Sequence, residues 1–193
     1  SELTYIAPFK NEATGIIELG AGSSLSAPSI SGTGKIVIDV TGMNAGDVVA
    51  ITGDVSGFTG TLEVNSNKLY AEIVDGKIVL KSYAALIGDV GYKSVETAFA
   101  AAKDGEKVEI LTAGTYNVPT SKNITITGVV DGVVFDNIGA CGMGGANVTF
   151  NNVTFDYYPN TNYKGLQHSG NMVYNSCIFN GQVFLYGQSE TFN

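Results

Sequence analysis

Two stretches in the second half of the chain, VTFNNVTF and MVYNSCIF, align with each other without a gap. The alignment matches Asn151 with Asn175 and Phe150 with Tyr174, so polar and aromatic positions recur together. Copies of the pattern follow one another at a period of roughly 20 residues, which is typical of a solenoid. A single coil of this size cannot bury its apolar side, so neighbouring coils must cover it. The repeat therefore restricts the chain to a stacked architecture.

The repeat also predicts which side chains stack in successive coils. Asparagine tolerates the left-handed backbone conformation of a tight bend, and stacked asparagine amides can hydrogen-bond along the stack. VVDGVVF upstream and ETFN downstream fall in the same register. We therefore predict a structural ladder that consists of Asp131, Asn151, Asn175 and Asn193. The aromatic residues beside it are predicted to form internal columns, one of Phe150 and Tyr174 and one of Phe135, Phe155 and Phe179. Phe192 falls in the same register.

One amphipathic helix interrupts this β-type sequence, in SVETAFAAAKDGEKVEI. We predict a helix over about residues 93–103, with Ser94 as its N-cap, Lys103 near the negative end of its dipole and Gly105 as its terminator. The predicted apolar stripe consists of Val95, Ala98, Phe99 and Ala102. Because this stripe is narrow, the helix is suited to covering the open end of a stack and not to building a core.

The first part of the chain, residues 1–83, has only strand and turn signals. YAEIVDGKIVL alternates apolar and polar residues on both sides of Asp75 and Gly76, which predicts a tight hairpin turn. SGTGKIVIDV and SGFTGTLEV share a serine and glycine lead-in to a strand, and they form a weak internal repeat. Two folds remain open for this segment, a β-solenoid and an immunoglobulin-like β-sandwich.

The stretch SVETAFAAAKDGEKVEILTAGTYNV resembles the opening of right-handed parallel β-helix proteins of the pectate-lyase-like superfamily. The resemblance covers residues 92–193 and implies that the helix caps the first coil. Residues 1–82 more loosely resemble Gly- and Thr-rich β segments of bacterial surface proteins and autotransporter passengers. We therefore predict an all-β fold, with a β-rich segment at 1–83 followed by a right-handed parallel β-helix with one N-capping α-helix at 84–193. Because the sequence ends within the repeat, we expect this β-helix to be truncated at its C-terminus.

The resemblance also indicates the chemistry that enzymes of this superfamily use on acidic polysaccharides. Pectate lyases have a calcium-binding Asp cluster and an Arg or Lys base, and polygalacturonases have paired Asp, a His-Gly step and an Arg-x-Lys step. This chain contains no Arg, and its only histidine, His168, is followed by Ser. We therefore predict no catalytic residues, no metal ligands and no cofactor. The alternative is a polysaccharide lyase or glycoside hydrolase, which would need convergent carboxylates or a base such as Lys164.

The longest departure from the repeat is DYYPNTNYKGLQHSGN, residues 156–171. Loops on one side of a solenoid often carry binding residues. Tyrosine rings and amide groups suit neutral sugars and protein partners alike, because the rings bury area while the amides fix orientation. The predicted ligand-binding residues are Tyr157, Tyr158, Asn160, Asn162, Tyr163, Lys164 and His168. The alternative is a polar loop that packs on the flank of its own coil.

Charge and cysteine content limit the partners further. The net charge is −8 and the lysines are scattered, which argues against binding to nucleic acid or to an anionic membrane surface. No apolar run is long enough to insert into a membrane. Cys141 and Cys177 do not form a CxxC pair, and either one disulfide or two buried free thiols would suit them.

Together these features predict a non-catalytic structural or adhesive module of a secreted or cell-surface bacterial protein. The expected location is extracellular, and the expected partner is a glycan or a host or cell-surface protein. We expect a monomer, or edge-to-edge association through the C-terminal coil. A viral tail-spike-like fibre, which would be trimeric, is a further alternative.

Overall fold

The chain forms two compact units, Ser1–Ser82 and Tyr83–Asn193, each with its own hydrophobic core. The computed structural model describes residues 1–117, 122–135, 145–156, 170–180 and 189–193. Within these ranges most of the regular structure is β-strand, most of the strands pair in parallel, and there is a single short helix. The predicted all-β solenoid with one helix is therefore confirmed.

Unit 1, Ser1–Ser82, begins with short strands that pair in parallel. These strands are β1 (Glu2–Thr4), β2 (Phe9–Asn11), β3 (Ile16–Leu19), β4 (Ser24–Gly32), β5 (Lys35–Ile38), β6 (Ile51–Asp54) and β7 (Thr61–Val64). β4 pairs with β1, β2 and β6, and β5 lies between β3 and β7. Immunoglobulin-like sandwiches consist of antiparallel strands. Of the two folds left open for this segment, the parallel pairing is that of a solenoid.

An antiparallel hairpin completes unit 1. It consists of β8 (Leu69–Val74) and β9 (Lys77–Ser82), with Val74 paired to Lys77. The two residues between the strands, Asp75 and Gly76, have φ angles of 49° and 71°. Two successive positive φ values match the twist of a two-residue hairpin turn. The predicted turn at Asp75 and Gly76 is therefore confirmed.

The two glycine-containing lead-ins of unit 1 lie on top of each other. Lys35 of β5 pairs with Thr61 of β7, which brings SGTG and SGFTG to the same corner of successive coils. The Thr61 N–H donates to the carbonyl oxygen of Gly34 at 2.9 Å. A Cβ atom on Gly60 would overlap that same oxygen. This corner therefore requires glycine because the backbones of two coils approach each other closely.

Unit 2, Tyr83–Asn193, contains two sheets whose strands come from successive coils. The strands are β10 (Ala85–Ile87), β11 (Val90–Tyr92), β12 (Lys107–Ile110), β13 (Gly114–Tyr116), β14 (Ile124–Gly128), β15 (Val133–Phe135), β16 (Val148–Asn151), β17 (Thr154–Asp156), β18 (Asn171–Asn175), β19 (Ile178–Asn180) and β20 (Ser189–Phe192). The first sheet has the order β11-β10-β12-β14-β16-β18-β20, and the second has the order β13-β15-β17-β19. β10 is antiparallel to both of its neighbours, whereas the described pairings from β12 onward are parallel.

The core of unit 2 contains two columns of stacked aromatic rings. The first column is Phe150, Tyr174 and Phe192, with successive ring centroids 5.7 Å and 5.0 Å apart. The second column is Phe135, Phe155 and Phe179, with successive centroids 5.9 Å and 5.1 Å apart. Edge-to-face contacts join the two columns, the shortest of them between Phe150 and Phe155 at 5.0 Å. The predicted columns are confirmed, and aromatic pairs in these geometries add to the stabilisation from burial alone.

The helix α1 spans Val95–Ala101, within the predicted range. The Ser94 hydroxyl accepts a hydrogen bond from the Thr97 N–H at 3.2 Å, so the predicted N-cap is confirmed. The predicted stripe is buried, and the helix packs on β10, β11 and β12. The predicted terminator was wrong, because the helix ends at Ala101, before the predicted bound of 103, and its C-cap is Ala102 and not Gly105. Ala102 already has an extended conformation with ψ of 139°, and Gly105 instead takes its positive φ of 86° in the following turn.

A lysine from a later coil stabilises the C-terminal end of α1. The Lys122 ammonium donates hydrogen bonds to the carbonyl oxygens of Phe99, Ala100 and Ala102 at 2.8, 2.6 and 2.8 Å. The predicted partner of the helix dipole, Lys103, is instead exposed, and its backbone N–H is bonded to Glu106. An ammonium at the end of a helix satisfies carbonyl groups that lack intrahelical donors. Lys122 therefore fastens the helix to the coil that follows it.

Replacing Lys122 with methionine should lower the free energy of unfolding of unit 2 by about 1.5–3 kcal/mol, the usual contribution of hydrogen bonds to a charged group. Methionine keeps an apolar stem but removes the ammonium, so the loss reports on the three hydrogen bonds. Thermal melting followed by circular dichroism measures the change. The matched control, Lys103→Met, should stay within about 0.5 kcal/mol of the wild type. Equal losses in both variants would show that Lys122 does not fasten the helix.

Candidate functional site

The first sheet of unit 2 presents an outward surface of neutral polar side chains on four successive coils. Along β14, β16 and β18 the buried residues alternate with these outward positions, as in a strand with one face in a core. We call this surface the neutral face. It consists of Asn123, Thr125, Thr127, Asn147, Thr149, Asn151, Asn171, Val173, Asn175, Ser189, Thr191 and Asn193. All of these residues except Val173 carry a hydroxyl or amide group, and none is charged.

One edge of the neutral face is a ladder of side-chain hydrogen bonds. The Asn151 amide donates to the Thr127 hydroxyl at 3.0 Å, and the Asn175 amide donates to the Asn151 carbonyl oxygen at 2.7 Å. The Asn193 amide then donates to the Asn175 carbonyl oxygen at 2.9 Å. Each bond joins adjacent coils, so the amides are held in fixed orientations along the stack. The asparagines predicted for the structural ladder are the ones joined here.

The prediction for Asp131 is corrected by the strand register. Thr127, and not Asp131, pairs with Asn151 across β14 and β16, whereas Asp131 lies in the exposed turn between β14 and β15. The prediction counted backward from Phe135 and assumed a tight corner like the one at Asn152. The corner before Phe135 contains additional turn residues, and these displace Asp131 from the ladder.

The opposite edge of the neutral face carries a second ladder that the sequence-based prediction missed. Its first rung is Asp104, whose two carboxylate oxygens accept from the Asn123 backbone N–H and side-chain amide, both at 3.0 Å. The side-chain oxygen of Asn123 accepts the Asn147 backbone N–H at 2.8 Å, and that of Asn147 accepts the Asn171 N–H at 2.9 Å. The signal was present in the sequence as an asparagine immediately before or at the start of successive strands.

Hydrogen bonding also lowers the pKa of Asp104, the acid at the start of this second ladder. The bonds from the backbone and the side chain of Asn123 hold the pKa of the Asp104 carboxyl below its usual value, because they stabilise the charged form. A smaller contribution in the same direction comes from Lys122. Asp104 is thus an ionised acceptor at the end of the ladder, and its oxygens are engaged in bonds that shape the coil.

Between the two ladders runs a central column of outward residues. Thr125 pairs with Thr149, Thr149 with Val173 and Val173 with Thr191 in the parallel register. Parallel strands lie about 4.7–4.9 Å apart, so this column repeats at that interval. Strand β12, the preceding strand of the sheet, carries instead the ion pair of Lys107 and Glu109, whose charged atoms lie 2.8 Å apart. The neutral face therefore begins at β14.

The loop residues predicted to bind a ligand lie outside the described residues. They are Tyr157, Tyr158, Asn160, Asn162, Tyr163, Lys164 and His168. Cys141 also lies outside them, whereas Cys177 has a free thiol. Burial raises the pKa of the Cys177 thiol, so it stays protonated at neutral pH. The loop prediction stays a prediction, and the neutral face is an interaction surface that the prediction did not include.

In the part of the chain that the structure describes, no group of three or more His, Cys, Asp and Glu side chains is placed to hold a metal ion. No helix in these ranges is long and apolar enough to cross a membrane.

The fold and the neutral face define the class of the protein as a β-solenoid. No known protein family, curated protein or solved structure matches the chain.

Proposed function

We propose that this chain is a non-catalytic structural and adhesive module of a secreted or cell-surface bacterial protein. The observation that carries the proposal is the neutral face, in which hydroxyl and amide groups are held at regular intervals by side-chain ladders. The proposed location is extracellular, and the proposed partner is a glycan or a host or cell-surface protein. A relationship to right-handed β-helices of the pectate-lyase-like superfamily belongs to the same proposal, and it rests on the helix-to-GTY opening of unit 2.

The fixed geometry of the neutral face favours binding. Ordering rotamer-rich side chains at an interface costs about 0.5–1.5 kcal/mol for each side chain. The asparagines of the two ladders are already held by their neighbours, so they would bind with little of this cost. Because each coil repeats the same groups, several weak contacts can act together on a repeating partner.

The chemistry of the neutral face favours adhesion over catalysis. General acid–base catalysis needs a side chain that titrates near the working pH, and the neutral face consists of amides, hydroxyls and one valine. The net charge of −8 disfavours nucleic acid and acidic polysaccharides as partners. Neutral glycans and protein surfaces, in contrast, present donors and acceptors that match amides and hydroxyls.

A glycan array combined with a pull-down of extracellular proteins tests the proposed function. Wild-type protein should bind neutral glycans or a surface protein, and Thr149→Glu should weaken this binding about tenfold, because it places a charge in the centre of the neutral face. The control is Thr115→Glu, the same change at an exposed position in β13 of the other sheet, and it should bind like the wild type. Circular dichroism verifies that both variants fold.

Two results would contradict the proposed function. One is the absence of wild-type binding to every glycan and protein tested. The other is the release of unsaturated products or new reducing ends from polysaccharides, which would identify a lyase or a glycosidase. Mass measurement in solution adds an independent test, since a trimer would favour a fibre of the tail-spike kind over a monomeric or edge-associated module.

A further inference from the structure

A cleft lies at the corner between the two sheets of unit 2, beside the Asn151 and Asn175 edge of the neutral face, and none of the neutral-face residues lines it. It has a volume of about 390 Å³, within the range of small-ligand sites. The residues that line it are Gly128, Val129, Val130, Asp131, Gly132, Val133, Asn152, Val153, Thr154, Ser176 and Ile178. All of them belong to the described part of the chain, and they come from three successive coils.

The cleft exists because one corner of the solenoid is wider than the next two. Asn152 and Ser176 turn the later corners in the left-handed conformation, with φ of 54° and 53°, and β17 and β19 follow within two residues of these bends. In the preceding coil the chain needs the longer turn between Gly128 and Val133 to pass from β14 to β15. A wide corner beside two tight ones leaves a recess in the surface.

The wide turn is held in place by the coil before it. The Val129 N–H donates to the Ile110 carbonyl oxygen at 3.0 Å, and the Gly114 N–H donates to the Gly132 carbonyl oxygen at 2.9 Å. The turn is therefore fastened near both of its ends by backbone hydrogen bonds. A cleft wall that is already ordered loses little conformational entropy when a ligand binds.

Exposed aliphatic side chains also line the cleft. Val129, Val130 and Ile178 are 47%, 39% and 59% exposed. Aliphatic side chains in this number and this close together on a surface mark an interaction site more often than isolated ones do. Valine in an exposed turn is also unusual, because turns favour Gly, Asn, Asp, Ser and Pro. The local sequence VVDG thus departs from ordinary turn chemistry at the wall of the cleft.

The polar lining defines what could bind beside these aliphatic groups. Asp131 supplies a carboxylate acceptor, Asn152 supplies an amide, and Thr154 and Ser176 supply hydroxyls. None of the lining residues is basic, so the site has nothing to pair with a carboxylate, sulfate or phosphate on a ligand. Hydroxyl groups of a ligand, in contrast, can donate to the carboxylate and both donate to and accept from amides and hydroxyls.

We propose that this cleft binds a neutral sugar unit of a glycan, with the apolar C–H face of the ring against Val129, Val130 and Ile178 and its hydroxyls directed to Asp131, Asn152 and Ser176. This assignment rests on the proposed adhesive function and names a ligand class and a site for it. The main competing ligand is a lysine side chain of a protein, since its apolar stem and ammonium could also occupy an aliphatic cleft with one carboxylate.

The test is a titration of the full chain with free neutral hexoses, N-acetylhexosamines and their disaccharides, followed by calorimetry and by NMR shifts of the cleft residues. Glucuronic acid is the charged comparison, and Nα-acetyl-lysine amide represents the competing ligand. At least one neutral sugar should bind more tightly than both of these and shift the signals of the turn from Val129 to Gly132. Asp131→Asn should weaken that sugar about tenfold, because a hydrogen bond to a charged acceptor is lost.

Two further variants separate this site from the rest of the surface. Val130→Asp should abolish sugar binding, because it replaces aliphatic surface with a second carboxylate, whereas Val90→Asp, the same change at another exposed valine of unit 2, should leave it unchanged. Equal binding by wild type, Asp131→Asn and Val130→Asp would overturn the cleft as the site. Tighter binding of the lysine amide than of any sugar would overturn the ligand class. If glycan adhesion persists in both cleft variants, the cleft is rejected as the sugar site and the proposed function stands. If the wild type shows no adhesion at all, the proposed function is rejected as well.

Discussion

Replacing Phe155 with alanine should lower the free energy of unfolding of unit 2 by about 3–5 kcal/mol, the usual cost of removing a buried phenylalanine. The Phe155 side chain is fully buried, and its ring meets four others. The centroids of Phe135, Phe150, Tyr174 and Phe179 lie 5.9, 5.0, 5.6 and 5.1 Å from it. Its removal therefore opens a cavity where the two columns meet, and the ladders and strands around that cavity limit how far it can collapse.

Urea unfolding combined with hydrogen exchange of the β16 and β17 amides measures this loss, because exchange reports on unit 2 separately from unit 1. The matched control is Phe192→Ala, at the last position of the first column. Phe192 is 54% exposed, so its truncation should cost less than about 1 kcal/mol. A similar loss in both variants would contradict the view that the meeting of the columns, and not aromatic content in general, stabilises unit 2.

Replacing Gly60 with alanine should destabilise unit 1 by about 1–3 kcal/mol or more, as overpacking does in a close-packed interior. The added Cβ would collide with the Gly34 carbonyl oxygen, and that oxygen already accepts the Thr61 N–H at 2.9 Å. Relief of the collision requires the two coils to separate at this corner. The separation would weaken the hydrogen bond that fixes the register of β5 against β7.

The control for Gly60 is Gly20→Ala. A Cβ on Gly20 would meet no atom closer than the Ser23 hydroxyl oxygen at 3.6 Å, an ordinary van der Waals distance, so this change should be neutral or slightly stabilising. Hydrogen exchange of the β5 and β7 amides, compared between the two variants, locates the effect. Unchanged protection of β5 and β7 in Gly60→Ala would show that the coils do not approach as closely as the structure indicates.

Much of unit 2 could be predicted from the sequence because its strand register pairs residues of the same type in successive coils. Asn151 and Asn175, or Phe155 and Phe179, can be aligned by eye, and parallel strands place aligned residues directly over one another. Ser94 was equally predictable, since an N-cap acts on a backbone N–H only a few residues away. Where one physical interaction involves residues close in the sequence or identical in successive coils, the sequence pattern is sufficient.

The errors arose where the interaction depends on corner length or on distant residues. Asp131 was placed in the ladder because a pattern cannot show that one corner is wider than the next. Lys122 was missed as the partner of the helix because it lies in a later coil, whereas Lys103 is close in sequence but exposed. The second ladder was missed although asparagine recurs at the starts of its strands, because these asparagines accept from backbone N–H groups, and backbone donors leave no trace in residue identity.

The ladders of unit 2 have an electrical direction along the stack. In both ladders the later coil donates and the earlier coil accepts, so the bond dipoles add and strengthen one another instead of cancelling. An acid, which can only accept, fits the first rung, where Asp104 receives both bonds from Asn123. At Asn175, which donates to Asn151 and accepts from Asn193, a carboxylate would remove the donor. Any segment that packs against the exposed Asn193 must likewise bring a donor to it, so this end of the ladder is selective for polarity as well as for shape.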